Sequence, residues 1–128
     1  MKRILIADDD LGILEGMEIL LSRRYDVVTA RNGEEALERL REGPVDLVIL
    51  DLLMPLLDGE STVVRLRESG FDGGIIVMSA HADRLGRTRL LGADDFLVKP
   101  FEFRELERSI ERLLPHNPRN ASSARARA

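Results

Sequence analysis

Five short apolar runs, each of strand length and each followed by a stretch with helical spacing, dominate the sequence. They are Ile4-Leu5-Ile6-Ala7, Val27-Val28-Thr29-Ala30, Leu47-Val48-Ile49-Leu50, Ile75-Ile76-Val77-Met78 and Phe96-Leu97-Val98. Several are apolar at every position, which is the pattern of strands covered on both faces. Between them Leu14, Met17 and Leu21 recur at helical intervals, as does Val63 with Leu66. The stripe Phe103, Leu106, Ile110 and Leu113 reads as core packing of a last helix. A second helix is predicted from Asn32 to about Glu42, with Ala36, Leu37 and Leu40 inward. Asn32 is its expected N-cap, Glu35 completes a box-like start, and Gly43-Pro44 stops it. Strand followed by helix, five times over, predicts a parallel α/β sandwich with right-handed crossovers.

Composition narrows the class. A chain of 128 residues supports one domain with a real core. It has no cysteine, which excludes disulfides and thiolate metal sites and suits a reducing, cytoplasmic location. No apolar run approaches the roughly 18 residues that span a bilayer. The run after Met1-Lys2-Arg3 is too short for a signal peptide, so no membrane role is expected. The net charge of −4 conceals an asymmetry: residues 115–128 hold three arginines and no acid, leaving 16 bases against 23 acids, or −7, before them. An acidic body argues against direct nucleic-acid binding. Residues 1–114 are therefore read as the domain. Residues 115–128, opening with Pro115-His116-Asn117-Pro118, are read as a flexible tail or linker stub.

Reactive residues cluster where the strands end. The first run leads into Asp8-Asp9-Asp10, the third into Asp51, the fourth into Ser79, and the fifth into Lys99-Pro100. In an open parallel sheet, ligands bind beyond the carboxyl ends of the strands, where strand order reverses. For the order 2-1-3-4-5 that point lies between strands one and three. Asp8, Asp9 and Asp51 packed together repel one another unless a cation offsets them. A hard divalent ion with oxygen ligands is the natural occupant, and Mg²⁺ uses one or two carboxylates plus phosphate oxygens. Lys99 brings a second positive charge, and Ser79 a hydroxyl donor for a phosphoryl oxygen. Asp51 is then a carboxylate nucleophile within reach of an in-line phosphoryl donor.

Four segments in order carry a family resemblance: Ile4 to Asp10, Asp51-Leu52-Leu53-Met54-Pro55 with Asp58-Gly59, Val77-Met78-Ser79-Ala80, and Gly92 to Phe101. Over residues 2 to about 114 the chain resembles the receiver domain of response regulators in two-component signalling. The resemblance implies a flavodoxin-like (βα)5 three-layer sandwich with a parallel sheet in the order 2-1-3-4-5. It implies phosphoryl acceptance on Asp51 from a histidine kinase or histidine phosphotransfer protein. Mg²⁺, with Mn²⁺ as an alternative, would be held directly by Asp9 and Asp51, by Asp8 often through water, and by the backbone carbonyl of Leu53. Ser79 would turn toward the phosphoryl group, with Ala80 as its small neighbour. Lys99 would contact the phosphate, Lys99–Pro100 would be cis, and the Phe96 ring would follow Ser79. A homodimer or effector contact would use the face of the fourth helix, fifth strand and fifth helix. That face is expected to carry Arg84, Arg87 and Arg89 on one side and Glu102, Glu105, Glu107 and Glu111 on the other, which suits a self-complementary or partner-binding face as well as a merely solvated surface. The chain departs from the usual pattern with leucine at 53, phenylalanine at 96, and a slightly short stretch from Ser79 to Lys99. That stretch contains Gly86, which points to a short or mobile fourth helix.

Plainer roles compete for several residues. Asp10 is expected to cap the first helix and Asp58 to be a cap or turn residue. Asp94-Asp95 is expected in a tight turn, and His81 is expected to be exposed in a loop. A phosphatase of the haloacid dehalogenase type also spaces two aspartates as Asp8 and Asp10 are spaced. Such an enzyme needs a further acidic pair after the lysine, where this chain enters its last helix. A pseudo-receiver that only binds partners would have no need of Asp9, Asp51, Ser79 and Lys99 together.

Overall fold

The computed structural model describes residues 1–114; the expectation of a flexible tail over residues 115–128 falls outside the described residues. Five strands alternate with five helices: β1 (Arg3–Ala7), α1 (Leu11–Leu21), β2 (Asp26–Ala30), α2 (Gly33–Glu42), β3 (Leu47–Asp51), α3 (Gly59–Glu68), β4 (Gly74–Ser79), α4 (Ala82–Leu91), β5 (Asp95–Val98) and α5 (Phe103–Leu113). The strands form one parallel sheet in the order β2-β1-β3-β4-β5. Every residue of β3 is buried, as its uninterrupted apolar run requires.

The pleat divides the core in two. Leu5, Val48, Leu50, Ile75 and Val77 face α2, α3 and α4, where Leu37, Val63 and Leu66 meet them. Ile4, Ile6, Leu47, Ile49, Ile76 and Met78 face α1 and α5, against Leu14, Met17, Leu21, Leu106 and Ile110. Alternate residues of a strand point to opposite faces, so one fully buried strand feeds both cores.

Local signals set the helix ends. Asp10 accepts a hydrogen bond from the Ile13 N–H at the start of α1, and Asp58 accepts one from Ser61 at the start of α3. Asn32 accepts from Glu35 N–H, while the Glu35 carboxylate reaches back to the N–H of Arg31. Gly43 has φ 176°, an extended conformation open to any residue, so Pro44 is what halts α2. Of the short or mobile fourth helix expected from the sequence, shortness is not found: α4 has ten residues, as α2 and α3 do.

Two arginines complete the frame. Arg67 of α3 donates to the carbonyls of Phe71, Gly73 and Gly92 and to the Asp94 carboxylate, tying the ends of α3 and α4 together. Gly92 adopts φ +121°, and a Cβ there would lie 2.8 Å from the Arg67 side chain, so glycine is needed on both counts. At the outer edge, Arg39 of α2 donates from Nε to the Thr29 carbonyl of β2 at 3.2 Å.

Candidate functional site

The carboxyl ends of β1 and β3 lie side by side in the sheet, and the pleat decides what they present. Asp8 follows Ile4 and Ile6 in phase, Asp51 follows Leu47 and Ile49, and Lys99 follows Leu97, so all three emerge on the α1–α5 side. Asp8 is fully buried and Asp51 is 6% exposed. The Lys99 ammonium lies 3.2 Å from Asp8 Oδ2 and 3.3 Å from Asp51 Oδ2. The other oxygen of each carboxylate accepts a backbone N–H two residues on: Asp10 N to Asp8 Oδ1 at 3.0 Å, and Leu53 N to Asp51 Oδ1 at 3.3 Å. Asp9 is exposed at the mouth. Ligand oxygens of Asp8, Asp9 and Asp51 lie within 4.8 Å of one another.

Electrostatics follow from this geometry. Burial is the largest influence on Asp8 and holds its carboxyl above the ordinary value of 3.8; the Asp10 N–H opposes it, Asp51 adds to it, and Lys99 opposes it again. Burial alone would depress the Lys99 ammonium. The carboxylates of Asp8 and Asp51 outweigh it, so its pKa is raised. Three carboxylates against one ammonium leave the site short of two positive charges. An all-oxygen donor set with that deficit fits a hard divalent cation.

Ser79 and Phe96 occupy the opposite face. Ser79 is fully buried, in phase with Ile75 and Val77, and its Oγ accepts the His81 N–H at 3.0 Å. Phe96 pairs in register with Val77 and packs half-buried on the same α2–α3–α4 core. Ala80 is exposed beside Lys99 and Pro100, and the Lys99–Pro100 bond is cis. Leu53 is 46% exposed next to Asp51. His81 is exposed and immediately precedes α4, with no capping bond from its side chain. Asp10 is occupied as the α1 cap, so it does not complete the spaced aspartate pair of a dehalogenase-type phosphatase.

Most of the chain matches what these contacts suggest. A family model described as the response regulator receiver domain matches residues 4–111. The chain belongs to that family. Among relatives of this receiver domain, the probable transcriptional regulator ycf27 of Cyanophora paradoxa is 46% identical over 116 residues, covering 88% of this chain and 48% of that protein. The transcriptional regulatory protein PrrA of Mycobacterium tuberculosis is 39% identical over 125 residues, covering 95% and 54%. The receiver domain thus spans about half the length of the curated relatives it matches. The response regulator TrrA of Thermotoga maritima, solved in complex with Mg²⁺ and beryllofluoride, superposes with TM-score 0.80 at 39% identity, over 89% of this chain and 100% of that one. This is therefore a receiver domain of the two-component type, a signalling module.

Two features, one beside the site and one at the far rim of the sheet, left little trace in the sequence. The β3–α3 loop closes tightly, with Gly59 N–H donating to the Leu52 carbonyl at 3.0 Å. A Cβ on Gly59 would fall 2.4 Å from Leu52 Cα. At the tip of that loop Leu56 adopts φ +68°, a left-handed conformation, with its side chain 83% exposed. Nothing in Pro55-Leu56-Leu57 announces a left-handed residue, since glycine or asparagine is the usual signal. Asp94 and Asp95 do more than turn the chain: Asp94 binds Arg67 and Ile75 N–H, and Asp95 opens β5 and holds Ser109 and Arg112.

Proposed function

We propose that this receiver domain accepts a phosphoryl group on Asp51 from the phosphohistidine of a cytoplasmic histidine kinase or phosphotransfer protein, with Mg²⁺. The observation that carries the reading is Lys99, whose ammonium bridges Asp8 and Asp51 beside an oxygen cluster short of two positive charges. An Asp51 oxygen attacks phosphorus, the bond from phosphorus to the donor nitrogen breaks, and the imidazole leaves with the electron pair. Asp8, Asp9, Asp51 and the Leu53 carbonyl would hold the ion, which when bound neutralises charge on the phosphoryl oxygens. Lys99 steadies the nucleophile beforehand and a phosphoryl oxygen afterwards. Hydrolysis by water later returns the Asp51 carboxylate and inorganic phosphate.

The donor's seat is an apolar groove of about 490 Å³ that opens beside Lys99, between α1 and α5. Gly12, Gly16 and Leu20 form one wall, and Pro100, Phe101 and Phe103 the other. Once Asp51 is modified, Ser79 exchanges the His81 N–H for a charge-assisted bond to phosphate, and Phe96 turns inward behind it. The face of α4, β5 and α5 then changes shape and is read by an effector or a second copy. Incubation with acetyl phosphate and Mg²⁺ should add one phosphoryl mass at Asp51, and Asp51→Asn should abolish it. Equal labelling of that variant would overturn the reading.

A further inference from the structure

Among the described residues three arginines stack on aromatic rings: Arg24 on Tyr25, Arg67 on Phe71 and Arg89 on Phe96. The last is the closest, with the guanidinium carbon 5.0 Å from the ring centroid, and it alone of the three joins a helix to a strand. Arg89 extends from the last turn of α4, whose backbone is fixed at that point. Gly92 N–H donates to the Arg89 carbonyl, Ala93 N–H donates to the carbonyl of the fully buried Thr88, and Arg67 clamps the Gly92 carbonyl. A long side chain on a fixed stem therefore ends over a half-buried ring.

The position of that ring is what the proposed switch would change. Phe96 lies opposite Val77, and Ser79 lies opposite Val98, so ring and hydroxyl share one face of neighbouring strands. With Ser79 held by the His81 N–H, the hydroxyl occupies that face, and the half-buried ring lies under Arg89. When Ser79 turns to a phosphoryl oxygen, the ring can take the vacated space only by leaving the guanidinium.

We propose that Arg89 is a positioning residue for the switch: by stacking on Phe96 it holds the ring outward and sets how much unmodified protein already occupies the phosphorylation-ready arrangement. This rests on the phosphoacceptor reading of Asp51. A ligand shifts two states only by its different affinity for them, and removing a contact made in one state shifts the balance the same way. An exposed cation–π contact is worth about a two- to fivefold change in population.

The test is a titration with beryllofluoride and Mg²⁺, followed by NMR of the Phe96 ring, in wild type, Arg89→Gln and Arg89→Lys. Arg89→Gln should bind about two- to fivefold more tightly, because less of the free protein is held back. Arg89→Lys, which keeps a cation, should fall between. In a Phe96→Leu background the gain should vanish, as a pairwise coupling requires. Loss of a positive charge by itself would weaken binding of an anionic analogue, so the two causes predict opposite signs. Unchanged or weaker binding by Arg89→Gln overturns the proposal, and so does an equal gain in the Phe96→Leu background. If wild type does not bind the analogue at all, the phosphoacceptor reading fails and takes this inference with it.

Discussion

Replacing Lys99 by methionine keeps an unbranched side chain but removes the one cation between Asp8 and Asp51. Asp8 is fully buried and Asp51 nearly so, which leaves two carboxylates facing each other without an offset. Removing one partner of a buried charge pair costs about 3–5 kcal/mol. Here the loss has a ceiling, because the folded protein can take up a proton instead. At pH 7 protonating a carboxyl of ordinary pKa 3.8 costs about 4.4 kcal/mol, and at pH 5 about 1.6 kcal/mol. Asp8 starts above that ordinary value, so the true ceiling is lower still. The folded variant then binds a proton that the unfolded chain lacks, so stability falls as pH rises from about 5 to 7. We expect a loss of about 3 kcal/mol at pH 7 that shrinks below about 1.6 kcal/mol at pH 5. Mg²⁺ should narrow the gap, since it returns positive charge to the same carboxylates; at a hundredfold over its dissociation constant a ligand contributes about 2.7 kcal/mol. Urea unfolding at both pH values, with and without Mg²⁺, measures all of this. A loss that does not vary with pH, or a gap that Mg²⁺ leaves unchanged, refutes the reasoning.

Asp9→Ala should weaken Mg²⁺ binding at least tenfold while leaving the metal-free fold as stable or more so, because it removes a ligand and a like-charge neighbour together; a Mg²⁺ titration with equal affinities would contradict this. Leu56→Gly should be about 1 kcal/mol more stable than Leu56→Ala, since only glycine escapes the left-handed penalty and both lose the same small burial; thermal melts that rank them the other way would exclude strain at that loop.

Much of this was readable in the sequence for one reason: a strand buried on both faces leaves an unbroken apolar run. Leu47 to Leu50 could hardly be anything else, and in a parallel sheet each strand's end then falls on one rim. That alone puts Asp8, Asp51 and Lys99 on one rim, where Lys99 bridges the two carboxylates. Side-chain pairing between helices was not readable, because it depends on angles that spacing does not encode. The residue types put Arg84, Arg87 and Arg89 on one side of the α4–β5–α5 face and the acids of α5 on the other, but said nothing of the partner each would take within the domain. The structure pairs Arg84 with Glu60 of α3 at 2.7 Å, and turns Glu107 and Glu111 toward Arg24 past the end of α1. Glu107 and Glu111 thus serve the α1 side of the molecule, Arg112 turns to Asp95 of β5, and Arg89 is engaged with a ring. Arg67 was equally hidden: its partners are mostly carbonyls, which every residue carries and no motif marks.

The Arg39 contact at β2 bears on how the protein behaves at high concentration. A sheet has two outer strands whose free backbone groups invite further strands from other molecules. β2 is five residues long, and its Thr29 carbonyl already accepts from the Arg39 side chain. An intruding strand would have to displace a guanidinium to gain one bond, and would find charge where it needs a bare ladder. With Arg3 on Asp26 at the start of the strand and Arg39 on Thr29 near its end, the β2 edge meets an incoming strand with two guanidinium groups, a known way of discouraging edge-to-edge pairing that has nothing to do with phosphate.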